Sequence, residues 1–481
     1  MSRAFRLLLI ASAAAIPAYA QQSTPVDRTA PPPVPAPRPL VIPTPDVRTL
    51  SNGARLIVTR RAGLPLVAFT IWFEGGGMSD DPPGKAGTGS LTAELLSEGT
   101  TARPGPQFGL DAMTLGTRIF ASVDDESGSI TLSTLKQRFV PAMDLVADML
   151  TNASITMPAF DQLRSRTVAG LESGRSNPNL IASRLFAKFA YGSGHPYGAL
   201  MSPASVASVT REDVMSFYRT YFRPGRAIIT VAGDVDAATV QRQLEAAFRE
   251  WPAGGEPPRF AYPSVPVTQR TIYLVDKPGA PQSVFAIGLP GPPRSSPDFL
   301  PLVVMNNALG GLTEARLNRN LRATHGYVYD LGSRFAFGKG PGAWQIGGGG
   351  VITAKSDSAL LEILREIRGI RGEVPLTDEE LKNAKAAQSQ GVPRRFATLS
   401  AINTTFGGMA LIGLPMDYYS GYVARVNALT RDDLVRVART YLDPDRLTIV
   451  VVGDRSKIEA PLRQAGVGPV IVVDQEGKPV P

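Results

Sequence analysis

The sequence contains no cysteine and only two histidines, His195 and His325. Without cysteine there is no disulfide, no thiolate ligand or nucleophile, and no site for a lipid-modified cysteine. The histidines are far apart, and neither falls in H-x-x-E-H, H-E-x-x-H or a similar metal-binding pattern. A catalytic zinc site ordinarily takes at least two ligands from His or Cys, so this chain is poorly equipped to build one. Lys and Arg outnumber Asp and Glu, 50 to 42, but the surplus is scattered with no basic run, which argues against nucleic-acid binding. Beyond the N-terminus no stretch approaches the roughly 18 apolar residues that a membrane-spanning helix needs.

What is present is ordinary for a globular protein, with 43% hydrophobic and 19% charged residues. At 481 residues the chain is too long for one core. Residues 1–20 carry Arg3 and Arg6, an apolar run from Leu7 to Ile16 and the small-x-small end Ala18-Tyr19-Ala20. This is the pattern of a signal peptide cleaved after Ala20, and the expected location is secreted, periplasmic. Residues 21–46 are proline-dense and poor in anything to bury, which predicts an extended tether.

The remainder is a tandem duplication. Thr210-Arg-Glu-Asp-Val-Met-Ser-Phe-Tyr-Arg-Thr-Tyr-Phe-Arg-Pro-Gly-Arg-Ala-Ile-Ile-Thr-Val-Ala-Gly-Asp234 recurs as Thr430-Arg-Asp-Asp-Leu-Val-Arg-Val-Ala-Arg-Thr-Tyr-Leu-Asp-Pro-Asp-Arg-Leu-Thr-Ile-Val-Val-Val-Gly-Asp454. Arg-Thr-Tyr, Pro, Arg and Gly-Asp keep one offset through both, which two unrelated helix–turn–strand units would not do. The expected division is a first domain over 47–250, a Pro/Gly-rich linker over 251–269 and a second domain over 270–475. Within the first, strands are predicted at Arg55–Thr59 and Leu66–Glu74, a β pair at Arg118–Ser122 and Ser129–Ser133, and a closing strand at Ala227–Ala232. Within the second, the spacing predicts strands at Thr271–Val275, Val284–Leu289, Tyr327–Arg334 and Trp344–Ile346, with a helix over Leu312–Ala323. The fold class is therefore layered α/β, two homologous domains each with a mixed, mainly antiparallel sheet and helices.

The first domain is organised around a helix over 88–98, Thr88-Gly-Ser-Leu-Thr-Ala-Glu-Leu-Leu-Ser-Glu98, ended by Gly99. Ser90, Ala93 and Glu94 fall at i, i+3 and i+4 on one face. A strand, a Gly-rich loop and a helix ending in Glu-Gly-Thr resemble the first domain of the M16 (pitrilysin/insulinase-type) zinc peptidases. In that family the same face carries H-x-x-E-H, two imidazole ligands with a general-base glutamate between them. Here Ser90 stands for the first histidine, Ala93 for the glutamate and Glu94 for the second histidine. Glu172 lies at about the distance of the family's third ligand; it is either a relic of that ligand or a solvated helix carboxylate. Glu94, Glu172 and Ser90 would hold a hard cation such as Ca²⁺ only weakly, and a structural salt bridge is the expected use. Ser90 has no neighbouring base that would make it a nucleophile.

A second segment strengthens the resemblance. Ala315-Arg316-Leu317 precedes Leu321-Arg322-Ala-Thr-His-Gly-Tyr-Val-Tyr329, where the family has S-R-L followed by an Arg and a Tyr seven apart that reach toward the zinc. Over this segment, 316–329, Arg322 and Tyr329 match that spacing. A Tyr hydroxyl can donate to the oxyanion of a tetrahedral intermediate and a fixed guanidinium can hold a substrate carbonyl. His195 is expected to fix a loop and His325 to sit on the surface. The resemblance implies a non-catalytic subunit of a periplasmic heteromeric M16 peptidase. Its partner, a catalytic M16 subunit with H-x-x-E-H, would bind the zinc, and this chain would bind none. Half of a clamshell chamber would admit short or unfolded peptides. The alternative is a peptide-binding or assembly protein of the same fold with no catalytic partner.

Overall fold

The computed structural model describes residues 41–253 and 261–481. The expected leader, the tether up to residue 40 and residues 254–260 of the linker lie outside the described residues. The first half opens with β1 (Asp46–Thr49), β2 (Arg55–Arg60) and β3 (Leu66–Glu74), then α1 (Thr88–Leu96) and α2 (Pro106–Thr114). The hairpin β4 (Phe120–Val123) and β5 (Ser127–Leu135) follows, then α3 (Phe139–Asn152), α4 (Met157–Gly174) and α5 (Pro178–Tyr191). The half closes with α6 (Pro203–Ser208), α7 (Arg211–Tyr221), β6 (Ala227–Gly233) and α8 (Ala237–Ala247).

The second half repeats this plan. It runs β7 (Thr271–Asp276), β8 (Gln282–Pro290), α9 (Phe299–Asn306), α10 (Arg316–Asn318), β9 (Leu331–Ala336), β10 (Ala343–Gly348) and β11 (Val351–Ile352). Helices α11 (Ser356–Arg368), α12 (Asp378–Gln390), α13 (Leu399–Leu411), α14 (Tyr422–Ala428) and α15 (Arg431–Tyr441) follow. β12 (Thr448–Gly453), α16 (Arg455–Gln464) and β13 (Val470–Val473) end the chain.

Each half builds one sheet, and the duplication is visible in the strand order. The first sheet runs β1-β2-β6-β3-β5-β4 and the second β13-β7-β12-β8-β10-β9, with β11 added to β8. In both, the opening strand pairs parallel with the closing strand (β2 with β6, β7 with β12), and every pairing onward from there is antiparallel. The closing strands Ala-Ile-Ile-Thr-Val-Ala-Gly and Thr-Ile-Val-Val-Val-Gly are buried along their whole length, as near-continuous apolar runs must be when both faces are covered. The repeated helices α7 and α15 start alike. Thr210 and Thr430 each accept from the backbone N–H three residues on, and Asp213 and Asp433 return the bond. The layered α/β class with two sheets is as expected.

The halves are interlocked, which sequence periodicity did not show. α5 of the first half lies on the second sheet: Ile181, Leu185, Phe186 and Ala190 pack with Val284, Ala286, Val450 and Val452. α13 of the second half lies on the first sheet, where Asn403 Nδ2 donates to the Thr230 carbonyl at 3.2 Å. Gly407 there has no room for a side chain, since a Cβ would meet Trp72 Nε1 at 2.1 Å. Each copy thus lends a helix to cover the other's sheet, and residues 42–481 form one compact unit.

Two local expectations need correction. Leu312–Ala323 is not one helix: Leu312 is extended, α10 is a single turn, and Arg319–Thr324 is a wide turn of π geometry in which the His325 N–H reaches the Asn320 carbonyl at 3.0 Å. The strand expected over Tyr327–Arg334 starts only at Leu331, because residues 327–330 cross from the turn to the sheet edge.

Candidate functional site

The first candidate region is α1. Its loop and N-terminus are held by polar side chains more than by its own cap. Asp81 accepts from the N–H groups of Gly87 (2.6 Å) and Gly89 (2.7 Å), and burial pushes its carboxyl up to about 6 against those bonds. Lys85 pairs with Asp213 at 2.6 Å, and Ser205 Oγ donates to the Ala86 carbonyl at 2.9 Å. Gly87 adopts φ +111°, a left-handed conformation that glycine tolerates best. Leu91 and Leu95 then pack with Phe160 and Leu163 of α4 and Val214 of α7.

The metal face of this well-anchored helix holds no suitable donor set. Ala93 is buried and offers a methyl group, and Ser90 is half-buried. Glu94 is exposed and engaged by Arg166 of α4 at 3.4 Å. Glu172 lies exposed further along α4. One hydroxyl, one methyl and one carboxylate already facing a guanidinium do not suit zinc, which favours imidazole and thiolate nitrogen and sulfur. Among the described residues no group of three or more His, Asp or Glu is gathered closely enough to hold a metal ion.

The second candidate region is the segment 316–331. Arg316 is almost wholly buried and makes a two-pronged pair with Glu380 at 2.9 and 2.8 Å; it also donates to the carbonyls of Val374 and Pro375. Burial by itself would raise the Glu380 pKa, but the Arg316 bonds prevail and hold the carboxyl down at about 2. Arg319 adds a further contact to the same carboxylate. Beyond these, Arg322 stacks over the Tyr329 ring, its Cζ 5.0 Å from the centroid. Tyr329 is 78% exposed, the highest value of any large aromatic side chain described. Neither the Arg322 guanidinium nor the Tyr329 hydroxyl has an ion pair or hydrogen bond among the described residues, so both remain available to a ligand.

Sequence similarity places these features. The family model described as "Peptidase M16 inactive domain" matches residues 208–388, which include the 316–331 segment. An uncharacterized zinc protease of Streptomyces coelicolor is 25% identical over 417 residues, covering 84% of this chain and 88% of that protein. The chain is thus similar to M16 proteins along most of its length, and its residues 208–388 match the inactive-domain model of that family. A mitochondrial-processing peptidase subunit beta of Lentinula edodes is 22% identical over 82% of this chain and 87% of its own length. In fold, the chain is similar to a peptidase M16 inactive domain from Pseudomonas fluorescens, with TM-score 0.79 and 21% identity over 85% of this chain and 98% of that one.

The structure brings Arg322 and Tyr329 into contact and sets Glu94 against an arginine. The remaining sequence candidates serve the scaffold. His195 is buried, accepts the Tyr197 N–H at Nδ1 (3.1 Å) and lies beside the Tyr191 and Tyr197 rings. His325 is exposed and stacks on Tyr327. Outside those candidates, Gly310 faces Leu317 and Ser333 with no space for a Cβ, so it serves close packing. The Arg316–Glu380 pair was missed by sequence reasoning, although Thr377-Asp-Glu-Glu380 is a legible capping box that marks Glu380 as a helix-start residue. No helix among the described residues is long and apolar enough to cross a membrane.

Proposed function

We propose that this chain is the non-catalytic subunit of a two-chain, periplasmic M16 peptidase. The zinc and the H-x-x-E-H glutamate belong to the partner in this reading. This chain supplies part of the peptide chamber and presents Arg322 and Tyr329 toward the partner's reacting carbonyl. The observation that carries it is the contrast between an α1 face without metal donors and an exposed, stacked Arg322–Tyr329 pair with unclaimed donors. A phenol donor aimed at a developing oxyanion, with a guanidinium beside it, stabilises a transition state and not the ground state. Strand β4 adds to the reading: it is the open edge of the first sheet, α1 lies against it, and the cleft of about 470 Å³ beside it includes exposed Met113 and Phe120. An extended short or unfolded peptide pairs with such an edge through main-chain hydrogen bonds. The relation to a subunit of a processing peptidase agrees with a two-chain arrangement. The leader over 1–20 supports the periplasm as the place where the pair assembles.

The test is co-expression with an M16 chain that bears H-x-x-E-H, with metal analysis and peptidase assay of each chain alone and together. The expected result is zinc in the partner only, and activity in the pair only. Tyr329→Phe is expected to lower turnover about 100-fold in the assembled pair. Assembly and melting temperature should hold, because the hydroxyl bonds nothing among the described residues. An unchanged rate removes the role given to Tyr329. Chelator-sensitive peptidase activity in this chain by itself overturns the reading.

A further inference from the structure

The segment that bears Arg322 is pinned at alternate residues. Arg316 is tied to Glu380 at the start of α12 and to the Val374 and Pro375 carbonyls. Asn318 is buried; its Oδ1 accepts the Leu331 N–H at 2.8 Å and its Nδ2 donates to Asp330 Oδ1 at 3.2 Å. Asn320 Nδ2 donates to Glu362 (2.9 Å) and Glu366 (2.6 Å) of α11. The next residue in this series, Arg322, has no such tie and stacks on Tyr329, which directly precedes the Asp330–Leu331 pair held by Asn318.

We infer that Asn318 and Arg316 are positioning residues that jointly set the placement of Tyr329 and Arg322. Asn318 has one side chain in the wide turn's root and two bonds on the strand entry, so it fixes the distance between the two limbs that carry the pair. Arg316 fixes the root itself against α12. The wide turn makes such ties necessary. Its i→i+5 geometry is a rare, single-turn form with few bonds of its own kind, and a shift near 1 Å in a transition-state donor can cost up to 100-fold in rate. This inference rests on the proposed role of Tyr329 only for its kinetic consequence, not for the geometry.

Two measurements decide it. In the assembled pair, Asn318→Ala is expected to lower kcat about 10-fold with KM changed less than 2-fold, whereas in a Tyr329→Phe background the same change costs less than 2-fold. Equal losses in both backgrounds would mean a general structural role and overturn the inference; so would no loss in either, when Tyr329→Phe itself is impaired. Independently of activity, the full chain labelled with 3-fluorotyrosine, its Tyr329 signal assigned by Tyr329→Phe, is read by fluorine NMR. Asn318→Ala and the charge-preserving Arg316→Lys are each expected to shift or split that signal. A signal unmoved in both variants sinks the inference. If Tyr329→Phe leaves turnover intact, the functional reading fails, and the fluorine signal still decides the positioning.

Discussion

The α1 face and the 316–331 segment are both held firmly, yet one pairs its only carboxylate with an arginine and the other leaves a guanidinium and a phenol exposed. At α1, the anchors (Asp81, Lys85, Ser205) lie ahead of or beside the helix start and support a face that offers a methyl and a paired carboxylate. At the second segment, two of three arginines are consumed by Glu380 and the third is left over a solvent-exposed ring. The difference teaches that scaffold and chemistry separate cleanly. The packing of α1 comes from its leucines and from loop hydrogen bonds, not from the polar residues of that face.

The comparison can be pressed at several points, beyond the loss of turnover expected for Tyr329→Phe. Arg316→Ala leaves the Glu380 carboxylate with only Arg319 and the Thr377 N–H, and is expected to destabilise the chain by about 3 kcal/mol in chemical denaturation. A near-neutral result would show that the second segment is not pinned as described.

The two anchors should also respond to pH in opposite senses. Glu380 has a folded pKa of about 2, below its ordinary value, so its stabilisation is present above about pH 4.5 and is lost as pH falls toward 2. Asp81 has a folded pKa raised to about 6, so its contribution is present below about pH 4 and is lost as pH rises through 6. Each effect is of order 2 kcal/mol. Melting curves of Glu380→Gln should differ from wild type most above pH 4.5, and the Asp81→Asn difference should change sign or size between pH 4 and 6. Parallel profiles would count against the two environments described.

Smaller effects remain. Gly87→Ala forces an L side chain into the left-handed region, with a Cβ 3.0 Å from Val206, and should cost about 1–2 kcal/mol without touching activity. Glu94→Gln breaks only an exposed pair and should stay within about 0.5 kcal/mol of wild type, with peptidase activity of the pair unchanged. A large loss of activity there would give the Ser90–Glu94 face of α1 a direct role.

Much of this was legible in sequence because it depends on local pattern. The duplication, the closing strands, the helix over 88–98, the absent histidines and the Arg322–Tyr329 spacing all follow from residues close together in the chain. Less legible were α8 and α14. Each buries only two residues, Val240 and Leu244 in one, Tyr422 and Val426 in the other, which leaves a weak periodic signal. The region 312–330 misled for another reason: its apolar spacing suits an α-helix, but Arg316 and Asn318 are tied to partners outside it, and the turn widens to meet them. Such ties join residues 64 apart (Arg316 to Glu380) and leave no periodic trace.

The residues alone fixed which donors are scarce: with no thiol and two histidines far apart in the chain, no helix here carries an H-x-x-E-H set of ligands. They also determined that two copies of one α/β unit would form, since strand and helix patterning is written locally. Only the tertiary structure decided that the copies exchange covering helices, that Glu94 spends its charge on Arg166, and that Arg322 alone of its neighbours is left free to stack on Tyr329. Those outcomes turn on contacts between residues distant in the chain, where geometry and competition among charges choose the partner.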